Sequence, residues 1–220
     1  TVVGAGFATG REIVEFFSRF GFIGFLGILL SGYLLIVLGS KLMRIAARIN
    51  AVSYQEFNVH LFGKWAGRGI NIIMLFMLLG VSAVMLAGAG AVFEEQLGLS
   101  KNLGVFITIF LSFIVMMIGS KGLFAVNSFV VPIMVCFSLM LMSLSIKQSD
   151  FVNHLLLVPH TVDSWKSILA PFSYTALNLA LAQAVLVPIA SEIKDDWTIK
   201  WGGILGGAAL TLILISSHFT

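Results

Sequence analysis

The sequence predicts an all-α integral membrane protein, a single transmembrane domain over residues 1–220, on three observations. Mean hydropathy is +1.04, and 59% of residues are hydrophobic against 10% charged, whereas about a quarter of a soluble domain is charged. The charge-free runs are each long enough to cross a bilayer as a helix. Strict two-residue alternation is absent, which excludes a spanning β-barrel.

The first stretch, 1–12, carries glycine at positions 4, 6 and 10 and Thr9 between them. Glycine weakens the preference for helix, so this apolar segment is predicted to break. Unwound backbone survives in a bilayer only where protein buries it or where it lines a watery cavity, so the break points to a binding site near mid-membrane. A helix then runs to about Phe20. On it Arg11 and Glu15, and Glu15 and Arg19, stand four residues apart on one face, while Ile13, Phe16, Phe17 and Phe20 fill much of the rest. Arg11 and Glu12 read either as an external gate or as an ordinary salt-bridged helix end.

Six further spans follow, at 21–40, 69–93, 102–120, 122–146, 167–191 and 201–220. The stretch 41–68 reads as a loop carrying Lys41, Arg44, Arg48, Lys64 and Arg68, and Lys121, Lys194 and Lys200 fall on the same side. The positive-inside rule makes that side, with loop 41–68, cytoplasmic. The opposite links carry Glu94, Glu95, Asp150 and Asp163. Residues 53–60 read as a short surface helix ending at Gly63. The apolar run 155–158 before Pro159 reads as a re-entrant lid or as a connector on the membrane surface.

In the third span Gly80, Ala83, Ala87, Gly88, Gly90 and Ala91 recur at steps that allow close helix packing. Asn127 and Ser128 in the fifth read as interhelical glue. The sixth span holds Ser173, Tyr174, Thr175, Asn178 and Gln183 between Pro171 and Pro188. It reads as a second interrupted helix, or as a kinked one whose polar groups bond to neighbours. Breaks in the first and sixth spans imply a repeat of five helices, the first over 1–146 and the start of the second over 167–220.

Other classes fit less well. Cys136 is the single cysteine, which leaves no intrachain disulfide and no thiolate metal site. The net charge of +3 comes from residues flanking spans, with no aromatic-interleaved basic patch for nucleic acid. His60, His154, His160 and His218 are scattered, and His154 and His160 with Asp150 and Asp163 show no metal-ligand spacing, so neither an enzyme, a metal site nor a cofactor is expected. A channel would want a repeated pore-lining element, which is not seen. The chain opens without Met inside one apolar segment and closes at the end of another, so a piece of a longer protein is expected.

Gly4-Ala5-Gly6-Phe7-Ala8-Thr9-Gly10-Arg11-Glu12-Ile13, followed by Phe16-Phe17, resembles the opening of the YkvI-type family of bacterial membrane proteins. The resemblance runs over essentially the whole chain. More remotely, the two broken spans are similar to the amino acid–polyamine–organocation superfamily, with its LeuT-like inverted-repeat helical bundle. That resemblance implies a secondary active transporter in the bacterial plasma membrane, moving a small polar solute, amino acid or amine-like, by ion-coupled alternating access. A channel or a non-transporting multi-pass protein is the alternative. The resemblance also implies a substrate site lined by backbone at Gly4, Ala5, Gly6, Phe7 and Thr9, facing Tyr174, Thr175 and Asn178. Proton-coupled relatives place a lysine in the middle of the fifth span, whereas Lys121 stands at its inner margin. This favours sodium over the proton as coupling ion.

Overall fold

A computed structural model describes residues 11–147, 164–193 and 195–219, which are helices joined by turns and short irregular links. The glycine-rich start, the loop run before Pro159, His154, His160, Asp150, Asp163 and Lys194 lie outside the described residues. The helices are α1 (Arg11–Phe16), α2 (Phe22–Ile49), α3 (Tyr54–Leu97), α4 (Lys101–Met117), α5 (Ser120–Ser145), α6 (Ser164–Glu192) and α7 (Asp196–His218), with a 3-10 turn at Ser18–Phe20. Five of them are long and apolar enough to cross a membrane, and α4, at 17 residues, is a shorter apolar helix.

The first helix ends at Phe16, about a turn short of the expected Phe20; Phe17 leaves the helical region, and a separate 3-10 turn over Ser18–Phe20 leads to Gly21, whose φ of 57° turns the chain into α2. Of the two expected ion pairs on α1, Glu15 and Arg19 meet at 2.6 Å, and the Arg19 guanidinium lies 4.8 Å from the Phe20 ring centroid.

Residues 41–68 are not a loop. With 28 residues, α2 is about 42 Å long, more than the roughly 30 Å of hydrocarbon. It stays helical because Met43 and Ala46 continue its buried face and join Ala51, Phe57, Val187, Ala190 and Ile199 in one core cluster. Lys41 and Arg48 ride the exposed side. Asn50 closes the helix in the left-handed region, φ 51° and ψ 41°. Ser53 then caps α3, its hydroxyl accepting from the Glu56 amide while Glu56 Oε2 accepts from the Val52 amide, a close variant of the capping box. The short helix expected at 53–60 is the first part of α3, set off by a kink at Gly63 with φ 78° and ψ 171°.

The core is organised around α2, which packs on both α6 and α7. Ser31 Oγ donates to the Pro171 carbonyl at 3.2 Å, and Gly39 lies against Leu179 further along, so α2 and α6 run in the same direction. Contacts between α2 and α7 run in opposite order. A Cβ on Gly32 would overlap Thr211, one on Gly207 would overlap Ile36, and one on Gly203 would overlap Ser40. Three successive turns thus form an antiparallel seam in which glycine lets the backbones close. At one end of the seam Arg44 Nε pairs with Asp196 Oδ1 at 3.3 Å. At the other, Ser18 Oγ and His218 Nδ1 are 3.1 Å apart.

The remaining helices attach to this centre. α3 and α4 pair antiparallel, Gly90 against Lys101 and Val105, and Gly104 against Phe93. The small-residue stripe of the third span serves packing only in part, since a Cβ on Gly80 or Gly88 would meet nothing within 4 Å among the described residues. The glue on α5 is Ser138, whose hydroxyl bonds Ser216 on α7, whereas Ser128 is exposed. Gly119, at φ 71°, turns the chain between α4 and α5.

Asp195 caps α7. Hydrogen bonds from the Thr198 hydroxyl, the Thr198 amide and the Trp197 amide hold its carboxyl below the usual aspartate range. A depressed folded-state pKa contributes stability that is present above the unfolded value and lost as pH falls through the folded one. The melting-temperature gap between wild type and Asp195→Ala is therefore expected at neutral pH and should shrink in acid; a gap independent of pH would refute the assignment.

Candidate functional site

The sixth span is one continuous helix through both prolines, so the interruption expected there is absent. The buried Asn178 carboxamide supplies the reason. Its Nδ2 donates to the Tyr174 carbonyl one turn back at 2.9 Å, so the polar group is satisfied on its own helix and nothing forces unwinding. Pro171 opens the third turn and Pro188 lies within the last two, where Ser191 Oγ donates to the Pro188 carbonyl at 2.7 Å.

Tyr174, Thr175 and Asn178 share one face of α6, and all three are buried, Thr175 to 2% and Asn178 to 8% exposure. Ser173 points away and is exposed. The Tyr174 ring meets α1 edge-on, 5.5 Å from Phe16 and 5.0 Å from Phe17 between centroids. Phe17 is fully buried and joins Ile13, Ile28, Leu35, Tyr174, Leu210 and Leu214 in a second core cluster. The half-buried Glu12 stands one turn before Phe16, on the helix that packs against Tyr174. Thr175 Oγ1 is buried and has no hydrogen-bond partner among the described residues, a state that costs about 1–3 kcal/mol unless something else satisfies it.

Thus α1 and the polar face of α6 are brought together by aromatic packing. Of the predicted site, Gly4, Ala5, Gly6, Phe7 and Thr9 lie outside the described residues. Arg11 opens α1.

A second polar cluster was not anticipated. Between α2, α3 and α6 lies a cleft of about 610 Å³, whose lining does not include Tyr174, Thr175 or Asn178. On its wall two carboxamides converge on one thioether: Asn58 Nδ2 donates to Met74 Sδ at 3.1 Å, and Gln183 Nε2 donates to the same sulfur at 2.8 Å. Asn58 also donates to Asn71 Oδ1 at 2.9 Å, and Asn71 Nδ2 to the Gln55 carbonyl at 3.2 Å. These bonds bridge the Gly63 kink and tie it to α6. The signal in the sequence was Asn71, an amide inside an apolar run, together with Gln183.

A family profile described as "Spore germination protein" matches residues 1–220. The chain is similar to "Uncharacterized membrane protein YkvI" of Bacillus subtilis (strain 168), 57% identical over 221 residues, which cover 100% of this chain and 63% of that relative. It is also similar to "Uncharacterized protein YyaD" of the same organism, 24% identical over 218 residues, 97% of this chain and 60% of that relative. The chain therefore spans less than two thirds of the length of these relatives. No solved structure matches it.

Proposed function

The chain belongs to the spore germination protein family and groups with its YkvI-type members, and from that premise we propose that it forms part of a secondary active transporter. The solute is small and polar, an amino acid or an amine, moved by alternating access and coupled to sodium in preference to the proton. The observation that carries this reading is the buried Thr175 hydroxyl, without a partner among the described residues, set between Tyr174 and Asn178 on the face of α6 that meets α1. A polar group left unsatisfied at membrane depth is stabilised when a solute brings the missing partner.

The site combines freed backbone at Gly4, Ala5, Gly6, Phe7 and Thr9 with side chains from Tyr174, Thr175 and Asn178. Since α6 is continuous, its contribution is side chains and not unwound backbone. Arg11 and Glu12 form the external gate. The protein sits in the plasma membrane with 41–68 on the cytoplasmic side.

The antiparallel seam supports an inverted five-helix repeat, 1–146 followed by one that starts at 167. Gly32 corresponds to Gly203, Ile36 to Gly207 and Ser40 to Thr211, each 171 positions on. The contact of Gly32 with Thr211 is then the symmetry mate of the contact of Gly203 with Ser40, with Ile36 and Gly207 at the centre. With Ile36 and Gly207 taken as the centre, the same offset would carry Gly4 to Thr175 and Phe7 to Asn178, equivalent positions in the proposed repeats.

The test is uptake by the full-length protein in liposomes. A screen of amino acids and amines under a sodium or a proton gradient identifies the solute, and Asn178→Leu and Gly6→Leu are then each expected to cut its gradient-driven uptake at least tenfold. Normal uptake by both variants would sink the site. Current without coupled flux would favour a channel.

A further inference from the structure

We propose that the cleft between α2, α3 and α6 is a binding site for an anionic phospholipid, with one acyl chain inside it and the phosphate at Lys41. The inference concerns a different place from the solute site and does not depend on transport. The cleft measures about 610 Å³, within the range of small-molecule pockets, and its lining is almost wholly apolar, from Leu38 on α2 to Ile73 on α3 and Ala180 on α6. The exceptions are Asn58, Gln183 and Lys41. Both amides are already donating to Met74, so they suit a wall and not the capture of a polar solute. Lys41 is exposed and forms no ion pair among the described residues.

Position along the helix supplies the remaining argument. Lys41 stands 19 residues after Phe22, the first residue of α2, or about 28 Å along the axis, which puts it at the edge of the hydrocarbon layer where headgroups begin. Leu38 lies one turn deeper and Phe57 closes the cleft from the short helix ahead of Gly63. Just past that kink Lys64, Trp65 and Arg68 are exposed, Trp65 to 85%, the residue types that settle at a membrane interface. The cleft therefore joins an apolar trough to one lysine, Lys41, at headgroup depth, the complement of a phospholipid with a negative headgroup. No acidic residue lines it.

The experiment is native mass spectrometry of the full-length protein in detergent, incubated with equal amounts of phosphatidylglycerol and phosphatidylcholine. Wild type should retain phosphatidylglycerol preferentially. In Lys41→Gln that preference should fall about fivefold, the equivalent of about 1 kcal/mol for one basic side chain near an anionic surface. Lys41→Arg should keep it, and Lys147→Gln, at the opposite end of the bundle, should leave it unchanged. Ala180→Phe, which fills the trough, should remove the adduct from protein that stays monodisperse. Equal retention of the two lipids, undiminished preference in Lys41→Gln, or an adduct that survives Ala180→Phe would each overturn the proposal.

Discussion

Replacing Gly24 by leucine should destabilise the fold by about 3 kcal/mol or more, enough to remove most folded protein from a detergent extract. A Cβ at this position would overlap the Phe17 carbonyl oxygen. That atom is backbone, so no rotamer change clears it. It also accepts from the Phe20 amide at 2.9 Å and thereby closes the 3-10 turn between α1 and α2. Pushing it aside unseats Phe17, which packs against Tyr174 and is fully buried. The fair control is Gly80→Leu. A Cβ on Gly80 would meet nothing within 4 Å among the described residues, and leucine is the better helix former by up to about 1 kcal/mol, so that variant should be at least as stable as wild type. Size-exclusion chromatography after a temperature ramp reads both, and a Gly24→Leu protein that melts with wild type would contradict the packing described for the first turn.

Thr175→Val should move stability and activity in opposite directions. Valine has the same shape as threonine and removes a hydroxyl that is buried without a partner among the described residues, so the fold should gain about 1 kcal/mol. If that hydroxyl is held in reserve for the solute, gradient-driven uptake should fall at least tenfold in the same variant. This pairing separates a binding group from a structural one: a purely structural threonine loses stability on substitution and leaves uptake intact. A less stable variant with normal transport would remove Thr175 from the site.

The expected membrane bundle and the observed one agree where hydrophobic length decides. The charge-free runs in the second, third, fifth, sixth and seventh spans all became helices long enough to cross, because a bilayer leaves a backbone no other means of satisfying its polar groups. The breaks at Gly21 and Gly63 were also legible. The extent of α2 was not. Lys41, Arg44 and Arg48 read as loop, yet the helix carries them onward because Met43 and Ala46 bury their side of it.

The sequence alone determined that the chain is a helical membrane domain, where most of its spans lie and that the sixth span carries polar residues from Ser173 to Gln183, since each of these follows from local composition; the structure put Tyr174, Thr175 and Asn178 on its buried face. Only tertiary structure decided which glycines matter. Gly80 and Gly88 look like a packing stripe, yet a Cβ on either would meet no other helix within 4 Å among the described residues, whereas Gly32, Gly203 and Gly207 draw α2 against α7. Tertiary structure also supplied the Pro171 carbonyl with a donor from Ser31 on α2, whereas Asn178 found its acceptor locally, one turn back on α6. The physical reason is that a residue's type sets what its surface permits, while which surface it meets depends on partners more than a hundred residues away.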